Sequence, residues 1–140
     1  MRTQVTKMMV ACFLIAGLMD ITHAQSFTDP VFTSKTTVVD FGEVDSKTDP
    51  GFRTLTFTNN GSSPLIITHI QPSCGCTIPE WPKDAIQPGK SNEIKVKYDI
   101  TRIGAISKTI TITTNEPDGK DADGNTLYKQ HVIQVKGSVR

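Results

Sequence analysis

Apolar and polar positions alternate with a period of two along most of the chain after residue 37. Ile94, Val96, Tyr98 and Ile100 are interleaved with Lys95, Lys97 and Asp99. Successive side chains of an extended strand point to opposite faces, so this spacing predicts a strand with one apolar and one charged face. Leu55 and Phe57 alternate with Thr54, Thr56 and Thr58 in the same way. Ile106, Ile110 and Ile112 share a face interrupted by Lys108, opposite Ser107, Thr109, Thr111 and Thr113. Ile133, Val135 and Val139 share another face with Gly137, and Val132 is out of phase. Val38, Val39 and Phe41 predict an opening strand that stops at Gly42. Asn59-Asn60-Gly61 reads as a turn, with Leu65–Ile70 as the partner strand, apolar on both faces.

No window of 11 or more residues carries a helical repeat of apolar positions, so the class is all-β. About seven short strands joined by turns leave no room for crossover helices. The economical closure is an immunoglobulin-like β-sandwich over residues 38–140. Residues 25–37 form a polar leader whose pairing as an edge strand is left open. Asp118–Asn125 is expected to be a polar hairpin loop. Aligned as a calcium loop from Asp121, it puts glycine at the fourth position and Val132 where the closing glutamate belongs. Asn60-Gly61-Ser62 matches a glycosylation sequon, which the turn explains without sugar.

The N-terminus changes the picture. Arg2 and Lys7 precede the apolar run Met8–Met19, and a polar stretch ends at Ala24. That order predicts a signal peptide over residues 1–24, cleaved between Ala24 and Gln25. The run is too short for the ~20 residues a membrane-spanning helix needs, so no transmembrane anchor is expected in the mature chain. Cys12 lies inside the run, and no cysteine follows Ala24 closely enough to carry a lipid. A periplasmic or secreted location follows.

Cleavage removes two of 15 basic and one of 14 acidic residues, leaving 13 of each in a formally neutral mature chain. Such a chain has no general field for phosphates, so nucleic acid is not an expected partner. Another envelope protein is. No nucleophile elbow, phosphate loop or zinc-protease helix can be assembled, which favours binding over catalysis. No cofactor is expected.

Ser73-Cys74-Gly75-Cys76-Thr77 carries the unusual chemistry. Residues two apart on a strand lie on one side with Cα atoms about 6.6 Å apart, near the outer limit for a disulfide. A bend at Gly75 would bring the sulfurs together. Three readings stay open: a structural staple, a redox disulfide, and a soft-metal site for copper or zinc with His69 as a third ligand. Solvation is the plainer reading of His69, and nothing places His131 near the cysteines. Trp81, between Glu80 and Pro82, is expected to cover one end of the core; a contact residue is the alternative.

Val39-Asp40-Phe41-Gly42-Glu43-Val44, Phe57–Gly61 with Pro64-Leu65, Cys74–Thr77, Ile86–Gly89, Gly104 and Thr114-Asn115 together resemble the family called domain of unknown function 1573. Members are exported proteins common in Bacteroidetes. The resemblance spans about residues 38–139. It implies a sandwich similar to the ASH, Hydin and major-sperm-protein group, and it supplies no activity. The reading that follows is an exported, non-enzymatic protein-binding or scaffolding module. Its alternative is a thiol-based redox or metal-binding role for Cys74 and Cys76.

Overall fold

The computed structural model describes residues 28–140, so the expected signal peptide and its cleavage site lie outside the described residues. Eight strands follow in order: β1 Phe32–Ser34, β2 Val38–Val44, β3 Phe52–Asn59, β4 Ile67–Pro72, β5 Thr77–Glu80, β6 Ser91–Tyr98, β7 Gly104–Lys120 and β8 Thr126–Val139. They form two four-stranded sheets, a front sheet ordered β1-β3-β6-β5 and a back sheet ordered β2-β8-β7-β4. The fold is an all-β, immunoglobulin-like sandwich.

The inward residues are those the period of two selects. Leu55, Phe57, Ile94, Val96, Tyr98, Ile106, Ile110, Ile112, Ile133, Val135 and Val139 are all buried, while out-of-phase Val132 is 57% exposed. Burying a large aliphatic or aromatic side chain contributes about 1.5–3 kcal/mol, so this shared face supplies the main driving force. Ile100 lies beyond the end of β6 and is only partly buried against the core.

Three expectations need correction. First, the sandwich starts before residue 38, because β1 pairs with β3 from within the polar leader and Phe32 joins the core. Second, Asn59-Asn60-Gly61 does not close a hairpin: β3 pairs with β1 and β6, whereas β4 sits in the back sheet beside β7. The reason is the buried side chain of Asn59. Its Oδ1 accepts the N–H groups of Val31 at 3.2 Å and Gly61 at 3.0 Å, and its Nδ2 donates to the carbonyls of Ser63 at 2.7 Å and Ile86 at 2.8 Å. These bonds steer the chain into a crossover. Gly61 is needed there for closeness, since a Cβ would stand 2.2 Å from the carbonyl oxygen of Asp29. Third, Leu65–Ile70 is not one regular strand. Leu65 makes an isolated bridge to Ile86, and a bulge between Ile67 and His69 leaves Thr68 and His69 both exposed.

Asp118–Asn125 does join two antiparallel strands, β7 and β8. The hairpin is longer than its apolar pattern suggested. β4 stops pairing with β7 at Thr114 and β2 stops pairing with β8 at Gln134, so the far half of the hairpin projects beyond both neighbours as a two-stranded arm.

Candidate functional site

The Cys-Gly-Cys turn is the crossover from β4 in the back sheet to β5 in the front sheet. Ser73 anchors one side, donating its N–H to the Thr109 carbonyl at 2.9 Å and accepting the Thr109 N–H on its hydroxyl at 3.0 Å. The Cys76 carbonyl anchors the other, accepting the Asp99 N–H at 2.9 Å. Between these anchors Cys74 and Cys76 form a disulfide with their Cα atoms 5.3 Å apart. Gly75 has a right-handed φ and open space around its α-carbon, so neither strain nor crowding demands glycine there.

The two sulfurs differ. Cys76 is buried in the core, whereas Cys74 is only partly buried. The Cys74 sulfur accepts the Cys76 N–H at 3.3 Å and lies 3.7 Å from the Thr77 hydroxyl. His69 does not join them. Its Nε2 pairs with Gln71 Oε1 at 3.1 Å, and its ring stands edge-on to Trp81 at 6.4 Å. Among the described residues, no group of three or more His, Cys, Asp or Glu side chains is gathered as a metal site.

Trp81 covers an edge as well as packing on the core. Its Nε1 donates to the Ile67 carbonyl at 3.3 Å, and Lys83 Nζ stands 3.2 Å over its ring. Single positions on other edges are blocked in comparable ways. On β5, Thr77 lies opposite Tyr98, whose N–H is given to Gly51 on the far side of β6. Thr77 and Pro79 therefore turn their backbones outward, and Pro79 has no N–H to offer. Arg53 donates to the carbonyls of Phe52 at 2.8 Å and Phe41 at 2.9 Å, capping β3 and β2 together. Thr36 Oγ1 bonds both backbone groups of Val38, and Ser34 Oγ donates to the Thr56 carbonyl at 3.1 Å. On the arm, Pro117 lies opposite Tyr128 and removes the N–H from the outer side of β7.

The outer side of β8 has no such protection. The Gln134 N–H donates to the Thr37 carbonyl at 2.8 Å, so even-numbered residues of β8 face the side that β2 occupies. By strand alternation, the N–H and C=O groups of Tyr128, Gln130 and Val132 face the same way. Among the described residues no strand pairs there, because β2 begins at Val38 opposite Gln134. Along this edge the apolar side chains of Leu127, Tyr128 and Val132 are 45%, 52% and 57% exposed, and the polar Lys129 and Gln130 between them are exposed as well. A groove of about 410 Å³ runs beside it, walled by Phe32, Ser34 and Thr37 across from Gln130, His131 and Val132.

At the base of the arm lies a polar cluster that the sequence reading missed. Glu116 is buried, and its carboxylate accepts from Thr114 Oγ1 at 2.6 Å, from His131 Nε2 at 2.6 Å and from the Phe32 N–H. Burial pushes the Glu116 carboxyl up, but hydrogen bonds from His131, Thr114 and the Phe32 N–H outweigh it and hold the carboxyl below its ordinary value. The His131 ring packs on Phe32 with centroids 4.7 Å apart. One carboxylate thus ties β7, β8 and β1 together. The available signal was the continuing phase of Ile110, Ile112, Thr114 and Glu116, which puts all four on the inner face.

The family model described as Protein of unknown function (DUF1573) matches residues 32–122. The chain belongs to that family. This DUF1573 domain is similar in structure to a protein of unknown function from Porphyromonas gingivalis W83, with TM-score 0.60 and 17% identity over 86% of this chain and 51% of that one. It is also similar to the periplasmic chaperone SfaE, with TM-score 0.54 and 13% identity over 79% of this chain and 58% of that one. A third likeness is to the CsuC–CsuE chaperone–tip adhesion subunit pre-assembly complex of Acinetobacter baumannii Csu pili. Its TM-score is 0.53 and its identity 10%, over 79% of this chain and 57% of that one. At these identities the likeness concerns the fold alone. The DUF1573 chain spans about half the length of the first of these structures. No curated protein matches it by sequence.

Proposed function

We propose that this DUF1573 domain is an exported, non-enzymatic protein-binding module that engages an envelope protein through the projecting β7–β8 hairpin. The observation that carries the reading is the unpaired edge of β8 at Tyr128, Gln130 and Val132 in a sandwich that blocks single positions on other edges with Arg53, Trp81, Pro79 and Pro117. Sheets with bare edges pair indiscriminately, and blocking devices suppress that tendency. An edge left bare and lined with exposed apolar side chains marks a place for strand addition. The similarity of the fold to that of a periplasmic chaperone is compatible with a role beyond the inner membrane. Among the described residues no helix is long and apolar enough to cross a membrane.

The test is affinity capture from envelope extract with the mature chain and with a variant carrying Tyr128→Ser and Val132→Ser. The intact chain is expected to retain a discrete protein that the variant loses. Equal recovery by both, or no specific protein with either, overturns the reading.

The sulfur asymmetry supports a second reading, a thiol-based function. Two donors beside the Cys74 sulfur would stabilise a thiolate released by reduction. Attack at the partly buried Cys74 sulfur expels the buried Cys76 instead, which slows exchange. Replacing both cysteines by serine should then abolish activity while leaving the fold; unchanged behaviour removes this reading.

A further inference from the structure

The alternation of β7 has one breach. Lys108 takes an inner-face position between Ile106 and Ile110, both of them buried. It lies opposite buried Val135 of β8, is itself half-buried, and among the described residues pairs with no carboxylate. A lysine in such a place lays its stem along apolar surface and carries the ammonium towards an opening. On the β4 side that opening is the Cys-Gly-Cys turn. β4 pairs with β7 as far as Pro72 opposite Ile110, and the two Ser73–Thr109 bonds extend the register by one residue. Cys74 therefore follows on the inner face, opposite Lys108.

We propose that Lys108 is the counter-charge of the Cys74 thiolate once the disulfide opens, and that the turn so equipped oxidises dithiols of exported proteins. The inference rests on the thiol-based reading and adds to it a charged group and a class of substrate. It leaves the β8 edge free, because β4 and β5 stand at the opposite ends of their sheets from β2 and β1. A client thiolate attacks Cys74 Sγ. The bond to Cys76 breaks, and its electron pair leaves on Cys76 Sγ, which takes a proton from solvent. A second client thiolate then attacks the client sulfur of the mixed disulfide and expels Cys74 as thiolate. Two electrons pass from the client to the turn, and the client's dithiol closes to a disulfide. The expelled thiolate meets the Cys76 N–H and the Thr77 hydroxyl, with the Lys108 ammonium as the third partner. Stabilising the reduced form in this way makes a disulfide a stronger oxidant. The other titratable groups on elements that meet the turn have other neighbours. Asp99 bonds Thr101 and Arg102, His69 bonds Gln71, Glu80 lies opposite Lys95, and Tyr98 is buried opposite Thr77.

In the Cys76→Ser chain, Cys74 is the one cysteine of the mature sequence, and its alkylation by iodoacetamide followed against pH gives the thiolate midpoint. That midpoint is expected below the ordinary value of about 8.5. Lys108→Met keeps the length and the apolar stem and should raise it by about one pH unit, and Lys108→Arg should bring it back. Lys90→Met, in the turn before β6, should leave it unmoved. The oxidised mature chain, mixed without oxygen with a synthetic peptide carrying two cysteines, should close the peptide's disulfide and gain two hydrogens. The chain with both cysteines replaced by serine is the blank. A midpoint indifferent to Lys108→Met, or moved equally by Lys90→Met, overturns the proposal and leaves the thiol-based reading standing. A peptide that stays reduced defeats that reading as well, whatever the midpoint.

Discussion

The Cys74–Cys76 crossover and the base of the hairpin arm both tie one sheet to the other, the first through a covalent bond and the second through a buried carboxylate. The covalent tie is the more conspicuous in sequence and the weaker in energy. A disulfide stabilises chiefly by restricting the unfolded chain, and a three-residue ring restricts it little, about 1.6 kcal/mol. The backbone bonds from Ser73 and Cys76 already hold that crossover on both sides. Glu116, by contrast, satisfies donors on β7, β8 and β1 at once, and each loses its partner if the carboxylate goes. Cost follows the number of buried groups left unsatisfied more closely than the strength of any single bond.

The sharpest way to break this contrast is Glu116→Ala. Losing an acceptor for several buried donors should cost about 3 kcal/mol in urea unfolding, with β1 and Phe32 loosened first in hydrogen exchange. A cost no larger than that of cysteine removal would reverse the ranking. The double replacement Cys74→Ser with Cys76→Ser should cost about 1.6 kcal/mol and leave hydrogen exchange of the arm unchanged.

Acid should act on the arm and spare the crossover. The folded Glu116 carboxyl lies below its ordinary value of 4.5, so its contribution is present above that pH and is lost as pH falls through the folded pKa. Stability is therefore expected to decline on acidification below about pH 5, and Glu116→Gln should flatten that part of the decline. An identical pH profile in the variant would show the carboxylate to be idle. The smallest effect belongs to Gly75→Ala. With a right-handed φ and open space, it should change stability by less than about 0.5 kcal/mol. A large loss would mean that the turn needs glycine after all.

The sequence by itself determined the class and the core. The alternation at Ile94, Val96 and Tyr98, at Ile110 and Ile112, and at Ile133 and Val135 is a local property of extended chain, and burial followed it residue by residue. The Cys-Gly-Cys turn was legible for the same reason, since both partners lie within one short segment. Tertiary structure alone decided which strands became neighbours. Asn59-Asn60-Gly61 carries a hairpin signal, yet the Asn59 side chain bonds Ser63 and Ile86 and sends the chain to the other sheet. The meeting of Glu116, His131 and Phe32 depends on pairings between residues far apart in sequence, as does the bare edge of β8, which exists only because β2 starts opposite Gln134. Local pattern encodes which face of a strand is apolar, whereas an unpaired edge is a property of where another strand ends.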